Sequence, residues 1–107
     1  MSIVKINAIT VDRDRFEEFA QRFAGRAGKV SAAEGFESFV LLRPTDERNV
    51  CLVVTQWRSE EDFKAWLQGP DFAAGHAQHR KDGPIGSASE LWSFEVLETE
   101  TAESPAT

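Results

Sequence analysis

Cysteine, histidine and basic residues are scarce in this chain of 107 residues. It has one cysteine and two histidines, and its 12 lysines and arginines against 18 aspartates and glutamates give a formal net charge of -6. One cysteine excludes an intramolecular disulfide and any zinc or iron–sulfur site built from several cysteines. Because Cys51 lies in the apolar run VCLVV, we predict a buried structural thiol. The acidic balance argues against nucleic acid as a partner, since basic side chains supply most of that affinity.

Long hydrophobic runs and targeting signals are also missing. No apolar run approaches the roughly 20 residues that a membrane helix requires. The opening segment MSIVKINAIT has neither a basic stretch followed by a long apolar segment nor a small-residue cleavage site. A glycine-rich phosphate loop, a G-x-S-x-G nucleophile elbow and an H-E-x-x-H helix are absent as well. We therefore expect a cytoplasmic protein that does not bind membranes.

The negative charge is concentrated at the C-terminal end. From residue 98 onward the sequence ETETAESPAT carries three glutamates and no basic residue. Such a polar, apolar-poor segment is typical of a solvated tail. We predict one folded domain over residues 1–97 and an acidic, disordered tail over residues 98–107. A chain of this length holds a single core, so a deep ligand site must share that core or lie between subunits.

Hydrophobic periodicity predicts the element order β, α, β, β, α, β. The four strands are predicted over residues 3–11, 36–43, 50–57 and 88–97. This order is that of the ferredoxin-like split βαβ class of α+β fold, which has a four-stranded antiparallel sheet with helices on one face.

The two helical regions differ in their start signals. A long amphipathic helix is predicted over residues 13–30, with Asp12 as its N-cap. The second region opens with a capping box from Ser59 to Asp62. A Gly-Pro pair then interrupts it, and a short helix is predicted to follow over residues 71–80.

Apolar residues occupy both faces of the predicted sheet. In the second strand Phe36, Val40 and Leu42 share one parity, and Phe39 and Leu41 share the other. A sheet that is apolar on both sides needs cover on both sides. Helices cover one side, and a second copy of the sheet is the simplest cover for the other. We therefore predict a homodimer packed sheet to sheet.

Two residues stand out among apolar neighbours on a strand and on a helix. Asn7 is an amide inside the apolar first strand, where burial without partners is costly, although pairing with backbone or exposure to solvent is the commoner situation. Trp66 lies beside Phe63 on one helix face, where packing in the core is the usual role of tryptophan. Residue type alone therefore leaves both assignments open.

The histidines and two arginines are further candidates for ligand binding. His76 and His79 lie one helical turn apart, with Arg80 beside them. Without nearby cysteines a structural zinc site is weakly supported, whereas one imidazole suffices as the axial ligand of haem. Arg22 and Arg26, also one turn apart, are candidates to meet a ligand carboxylate, although snorkelling on the surface is the commoner role.

Six segments of the chain, taken together, resemble the antibiotic biosynthesis monooxygenase superfamily. They are VKINAI, RFAGRA, GF-x-x-F-x-LLRP, VVTQW, W-x-x-GP and HAQHR. The resemblance covers residues 1–97 and is greatest to haem-degrading monooxygenases of the IsdG and MhuD type, closest to the mycobacterial branch. It implies a dimeric ferredoxin-like α+β barrel. It also implies an oxidoreductase that takes haem as substrate and cofactor, cleaves the ring with O2 and electrons from an external reductase or reductant, and releases iron.

The resemblance also assigns residues to roles. The working residues of the family fall on Asn7, Trp66 and His76. His76 would be the proximal ligand of the haem iron, Trp66 would press on the macrocycle, and Asn7 would donate a hydrogen bond on the distal side. Further haem contacts are expected from basic side chains near the propionates and from aromatic side chains around the ring: Arg22, Arg26, Arg80, Phe23, Phe63 and Phe72.

One departure and two alternatives accompany this resemblance. Gly75 makes the interval from Trp66 to His76 one residue longer than the mycobacterial type has, although it suits the staphylococcal type, so His79 stands as the alternative to the preferred His76. A cofactor-independent monooxygenase of a polycyclic aromatic or quinone substrate would use the asparagine and tryptophan without a haem ligand. A non-catalytic haem-binding protein would bind haem without degrading it.

Overall fold

The computed structural model describes residues 2–24, 30–70, 72 and 85–102, which form one sheet and two α-helices. The strands are β1 Ile3–Thr10, β2 Phe36–Leu42, β3 Val50–Trp57 and β4 Ala88–Glu95. The helices are α1 Phe16–Ala24, preceded by a 3-10 turn at Arg13–Arg15, and α2 Glu60–Leu67. The predicted element order and the ferredoxin-like α+β class are confirmed. None of the helices in this described part is long and apolar enough to cross a membrane.

The four strands form an antiparallel sheet in the order β2-β3-β1-β4. β1 is therefore central and pairs with β3 on one side and with β4 on the other. Its residue Asn7 lies opposite Val53 of β3 and opposite Leu91 of β4. This register places the predicted site residue of β1 at the middle of the sheet.

A β-bulge changes the side-chain alternation at the start of β2. The register shifts between Phe36 and Ser38, so that Phe36 lies opposite Trp57. The two rings then meet edge to face, with their centroids 5.7 Å apart. The prediction that Phe36 shares a face with Val40 and Leu42 is wrong, because the extra residue of a bulge moves the preceding side chain to the other face of the sheet.

The two helices begin in different ways. The Asp12 side chain makes no capping hydrogen bond, and the Asp12 carbonyl instead accepts a bond of 2.9 Å from the backbone N–H of Arg15. The predicted Asp12 cap is therefore wrong, because a 3-10 turn already forms where the side chain was expected to bind. The predicted cap of α2 is confirmed, since Ser59 Oγ accepts a bond of 3.2 Å from the backbone N–H of Asp62. The first helix is confirmed from Phe16 to Ala24, its predicted first turn is a 3-10 turn at Arg13–Arg15, and residues 25–29 lie outside the described residues.

Two clusters of buried side chains lie between the sheet and the helices, and they share no residue. The cluster under α1 contains Ile9, Val11, Phe16, Phe19, Phe23, Cys51 and Ile85. The cluster under α2 contains Val30, Trp57 and Phe63, with Ala33, Phe36, Phe39, Trp66 and Leu67 packed against it. Cys51 is fully buried, as predicted, and burial raises the pKa of its thiol.

The opposite face of the sheet is apolar and exposed. Val40, Leu42, Trp92 and Phe94 lie on this open face and are 39–52% exposed. A cleft of about 590 Å³ runs across one end of it, next to the loop between β2 and β3. Apart from the misplaced Phe36, the sheet is thus apolar on both sides, as the sequence predicts.

Candidate functional site

Asn7 lies on the side of the sheet that the helices cover, at the seam between the two core clusters. Its neighbour Ile9 belongs to the α1 cluster, whereas Lys5 contacts Phe63 of the α2 cluster, and Asn7 itself belongs to neither. The Asn7 side chain is half-buried and forms no hydrogen bond with any of the described residues. The adjacent Leu91 is 61% exposed. An amide in this setting is costly unless a ligand or water pairs with it, so it marks the seam as a candidate binding site.

Trp66 forms an aromatic wall on α2. Its ring centroid lies 6.4 Å from that of Trp57 and 6.3 Å from that of Phe72. Trp57 is itself fully buried, and its indole N–H donates a hydrogen bond of 2.9 Å to Thr55 Oγ1. Trp66 is half-buried, so part of its surface remains open to a ligand while a rigid neighbour supports it from behind.

Phe23 and Phe63 support the two sides of the seam from within the core. Phe63 is 8% exposed and lies edge to face with Trp57, with their centroids 5.7 Å apart. Phe23 is 6% exposed and packs against Phe19, with centroids 4.8 Å apart. Both side chains therefore serve as core residues in this structure, and they contribute apolar walls behind the site.

Arg22 is held on α1 by a carboxylate one turn away. Its Nη2 lies 2.7 Å from Glu18 Oε2, and Arg15 binds the same carboxylate at 2.9 Å. The hydrogen bond from Arg15, reinforced by Arg22, lowers the pKa of Glu18 below its usual value. The Arg22 side chain is only 15% exposed, which means that this predicted propionate contact is a largely buried, oriented cation.

Lys5 is a buried charge that sequence reasoning did not select. Its ammonium lies 2.7 Å from Glu60 Oε2, donates a hydrogen bond of 2.7 Å to Ser93 Oγ and lies 4.8 Å from the centroid of the Phe63 ring. In the sequence it only interrupts an apolar strand. The available signal was its spacing, because residues two apart on a strand share a face and Lys5 therefore lies beside Asn7.

The remaining predicted site residues cannot be placed. His76, His79, Arg26 and Arg80 lie outside the described residues, as does Gly75. Within residues 2–24, 30–70, 72 and 85–102, no three histidine, cysteine, aspartate or glutamate side chains gather into a metal site. The described candidates are therefore an amide together with aromatic and aliphatic side chains, a combination that suits a mostly apolar ligand with a polar group for the amide to bind.

Comparison with known proteins agrees with this arrangement. Residues 2–78 match the antibiotic biosynthesis monooxygenase family. The chain is 45% identical over 97 residues to a mycobilin-producing heme oxygenase of Mycobacterium tuberculosis, spanning 91% of this chain and 90% of that protein. It is 34% identical over 101 residues to a staphylobilin-producing heme oxygenase of Staphylococcus haemolyticus, spanning 90% and 96%.

A solved structure gives the same result at the level of the fold. The chain superposes on the heme-degrader MhuD of Mycobacterium tuberculosis with a TM-score of 0.80 and 43% sequence identity, covering 92% of this chain and 99% of that one. That structure has two hemes bound in its active site. Likeness of this extent in both sequence and fold supports the resemblance found in the six sequence segments.

Proposed function

Since this chain belongs to the antibiotic biosynthesis monooxygenase family, we propose that it is a haem-degrading monooxygenase. The observation that carries the proposal is the half-buried amide of Asn7, which has no partner among the described residues and lies two residues from Lys5, whose ammonium contacts Phe63 of α2. The 45% identity to a mycobacterial heme oxygenase supports it from sequence. Haem would be both substrate and cofactor, because the bound ring supplies the iron for O2 chemistry and is itself cleaved.

The described residues fit a porphyrin in shape and polarity. Trp66 on α2 and Leu91 on β4 would offer aromatic and aliphatic surface to a flat ring. Asn7 adds an amide, which both donates and accepts hydrogen bonds, at the middle of the sheet, where a polar group is otherwise unexplained. Arg22, already oriented by Glu18, would meet a propionate together with Arg26, because a guanidinium has enough donors for two carboxylates.

Each residue would have a separate task. The Asn7 amide would donate a hydrogen bond on the distal side of the ring. Trp66, supported by Trp57 and Phe72, would pack against the bound macrocycle. We propose His76 as the proximal ligand of the iron, with His79 as the alternative, since a neutral imidazole is a common axial ligand.

The partners of the reaction complete the proposal. Ring cleavage needs O2 and electrons, and in a cell an external reductase or small reductant would supply those electrons while iron is released. We also propose a homodimer, because a second copy of the open face would cover the exposed Val40, Leu42, Trp92 and Phe94. A cytoplasmic location remains a prediction of the sequence.

Hemin titration followed by reduction tests the proposed function. Adding hemin to the purified protein should shift and sharpen the Soret band of free hemin, and this change should saturate at a defined stoichiometry. Ascorbate in air should then bleach that band and release iron that a ferrous chelator can trap. A Soret band that persists under ascorbate and O2 would instead support a non-catalytic haem-binding protein. A Soret band that remains that of free hemin would overturn the proposal in favour of a cofactor-independent monooxygenase.

A further inference from the structure

Lys5 has no role in the mechanism above, although it is the most buried charged side chain in the described region of the protein. It is 5% exposed, and it lies on β1 two residues before Asn7, on the same side of the sheet. Its ammonium contacts both carboxylate oxygens of Glu60, at 2.7 Å and 2.9 Å, and donates to Ser93 Oγ at 2.7 Å. One side chain therefore connects the central strand to α2 and to β4.

This ion pair is better suited to fixing a geometry than to stabilising the fold. Removing the Lys5 ammonium from water costs free energy that cancels most of its attraction to Glu60. Because Glu60 is 41% exposed, solvent weakens the attraction further. An apolar side chain of similar length would fill the same space. It would not, however, hold the start of the helix against the strand through a direct charged contact, as the ammonium between Glu60 and Ser93 does.

The pair connects the two elements that carry the described candidates for catalysis. Glu60 is the first residue of α2, and Trp66 follows six residues later in the same helix, about 9 Å along its axis. Lys5 and Asn7 are about 7 Å apart along β1. Because Glu60 and Trp66 belong to one helix, any shift of α2 at Glu60 also moves Trp66 relative to Asn7.

We propose that Lys5 is a positioning residue, whose ion pair with Glu60 sets the placement of Trp66 against Asn7 and so the shape of the haem site. The claim about the haem site rests on the proposed function. The placement of Trp66 is a property of the protein alone and is tested without haem.

The first test measures the position of Trp66 in the haem-free protein by NMR. Lys5→Met and Glu60→Gln should each shift the indole N–H resonance of Trp66. In Glu60→Gln, which leaves the hydrogen bond from Lys5 to Ser93 in place, the indole of Trp92 on the open face should not move. Glu61→Gln is the matched control, because Glu61 is an exposed carboxylate next in sequence that makes no ion pair within the described residues. An unmoved Trp66 resonance in a folded Lys5→Met protein would overturn the proposal.

The second test measures the haem complex. In Lys5→Met the Soret maximum should move and the rate of ascorbate-driven bleaching should fall about tenfold, since misplacement by about 1 Å is enough to slow an enzyme up to about a hundredfold. The hemin dissociation constant should change less than the rate does. The double variant Lys5→Met/Glu60→Gln should be no slower than Lys5→Met, because both substitutions remove one interaction.

The two tests separate failure of this inference from failure of the proposed function. If the parent protein binds no hemin, the proposed function is overturned, and the NMR test alone decides whether Lys5 positions Trp66. If Trp66 moves while the Soret band and the bleaching rate stay the same, the claim that the pair shapes the haem site is overturned. Should Lys5→Met fail to fold, Glu60→Gln retains the lysine and the shape of its partner and carries both measurements.

Discussion

A side-chain amide in the middle of a sheet normally forms hydrogen bonds with its neighbours. The Asn7 side chain has no such bond with any of the described residues. Its position between Val53 and Leu91 surrounds it with side chains that offer no acceptor. Selection for stability alone would replace it with an apolar residue, since an unpaired amide is destabilising when it is buried. Its presence there is more easily explained by a ligand.

Substituting Asn7 separates binding from turnover. Asn7→Ala should bind hemin with an affinity close to that of the parent, because the walls of the site are unchanged. Bleaching under ascorbate should slow by about a hundredfold, the order expected when one preorganised donor is lost. The matched control is Asn49→Ala, which removes an exposed amide from the loop before β3. Unchanged turnover in Asn7→Ala would remove Asn7 from the mechanism.

Substituting the two histidines one at a time decides which of them binds the iron. In His76→Ala the Soret maximum should move and most of the hemin affinity should be lost. His79→Ala should keep the Soret maximum and the hemin affinity of the parent. The reason is that an axial imidazole determines the spectrum of the haem, and a nearby imidazole that does not bind iron affects it little. The opposite result would assign the iron to His79, and parent-like spectra in both variants would exclude both ligands.

The helices show how far local sequence signals can be read. Ser59 and Asp62 form a cap that depends on residues three apart, and the sequence was sufficient to predict it. The expected cap by Asp12 failed because a 3-10 turn took its place, and the bulge at Phe36 followed from pairing with β3. The buried contact of Lys5 with Glu60 joins residues 55 apart, so it depends on tertiary structure that no local pattern contains.

Removing the cap of α2 should destabilise the protein measurably. Ser59→Ala should lower the free energy of unfolding by about 1 kcal/mol, since it leaves a backbone N–H in the first turn without its acceptor. Urea unfolding followed by circular dichroism gives the value. Ser87→Ala, which changes an exposed serine in the loop before β4, is the matched control and should unfold like the parent. An equal loss of stability in Ser59→Ala and Ser87→Ala would mean that the cap contributes nothing to the free energy of unfolding.

The carboxylate of Asp62, beside the same cap, should make the free energy of unfolding depend on pH. The hydrogen bond from Arg58, followed by that from Ser59, lowers the pKa of Asp62 in the fold. A lowered carboxyl pKa contributes stability above the ordinary pKa near 4, and this contribution is lost as pH falls through the lower folded value. Asp62→Asn should therefore be less stable than the parent at pH 7, and the difference should shrink in acid. The measurement is the urea midpoint of each protein between pH 7 and pH 3. A constant difference between the midpoints of the parent and of Asp62→Asn over this range would contradict the prediction.

At the scale of the molecule, the open face is an apolar surface that nothing covers in the described region of the protein. Its exposed side chains are contributed by both edge strands, including Val40 of β2 and Phe94 of β4. The sequence was sufficient to predict a two-faced sheet, because alternation along β3 can be read directly. It was insufficient to place the histidine end of the site, since residues 73–84 lie outside the described residues and no local signal fixes their position.

A charge on the open face should prevent dimer formation. The parent should have twice the chain mass of 11.9 kDa by light scattering at micromolar concentration. Phe94→Glu should have the mass of one chain, because a carboxylate between two apolar sheets would lose its water without gaining a partner. Leu97→Glu is the control, since Leu97 is 87% exposed beyond the end of β4. A parent protein with the mass of one chain would exclude the dimer.

The division of the interior into two clusters has a consequence for how a ligand enters. Phe23 on α1 and Phe63 on α2 anchor different groups of side chains, and the sheet is the floor that both groups share. A planar molecule that slides between the helices would therefore separate a pair of independent walls along an existing boundary. Neither wall has to give up its own packing, so a large ring can lie along that boundary without the opening of a single closed core.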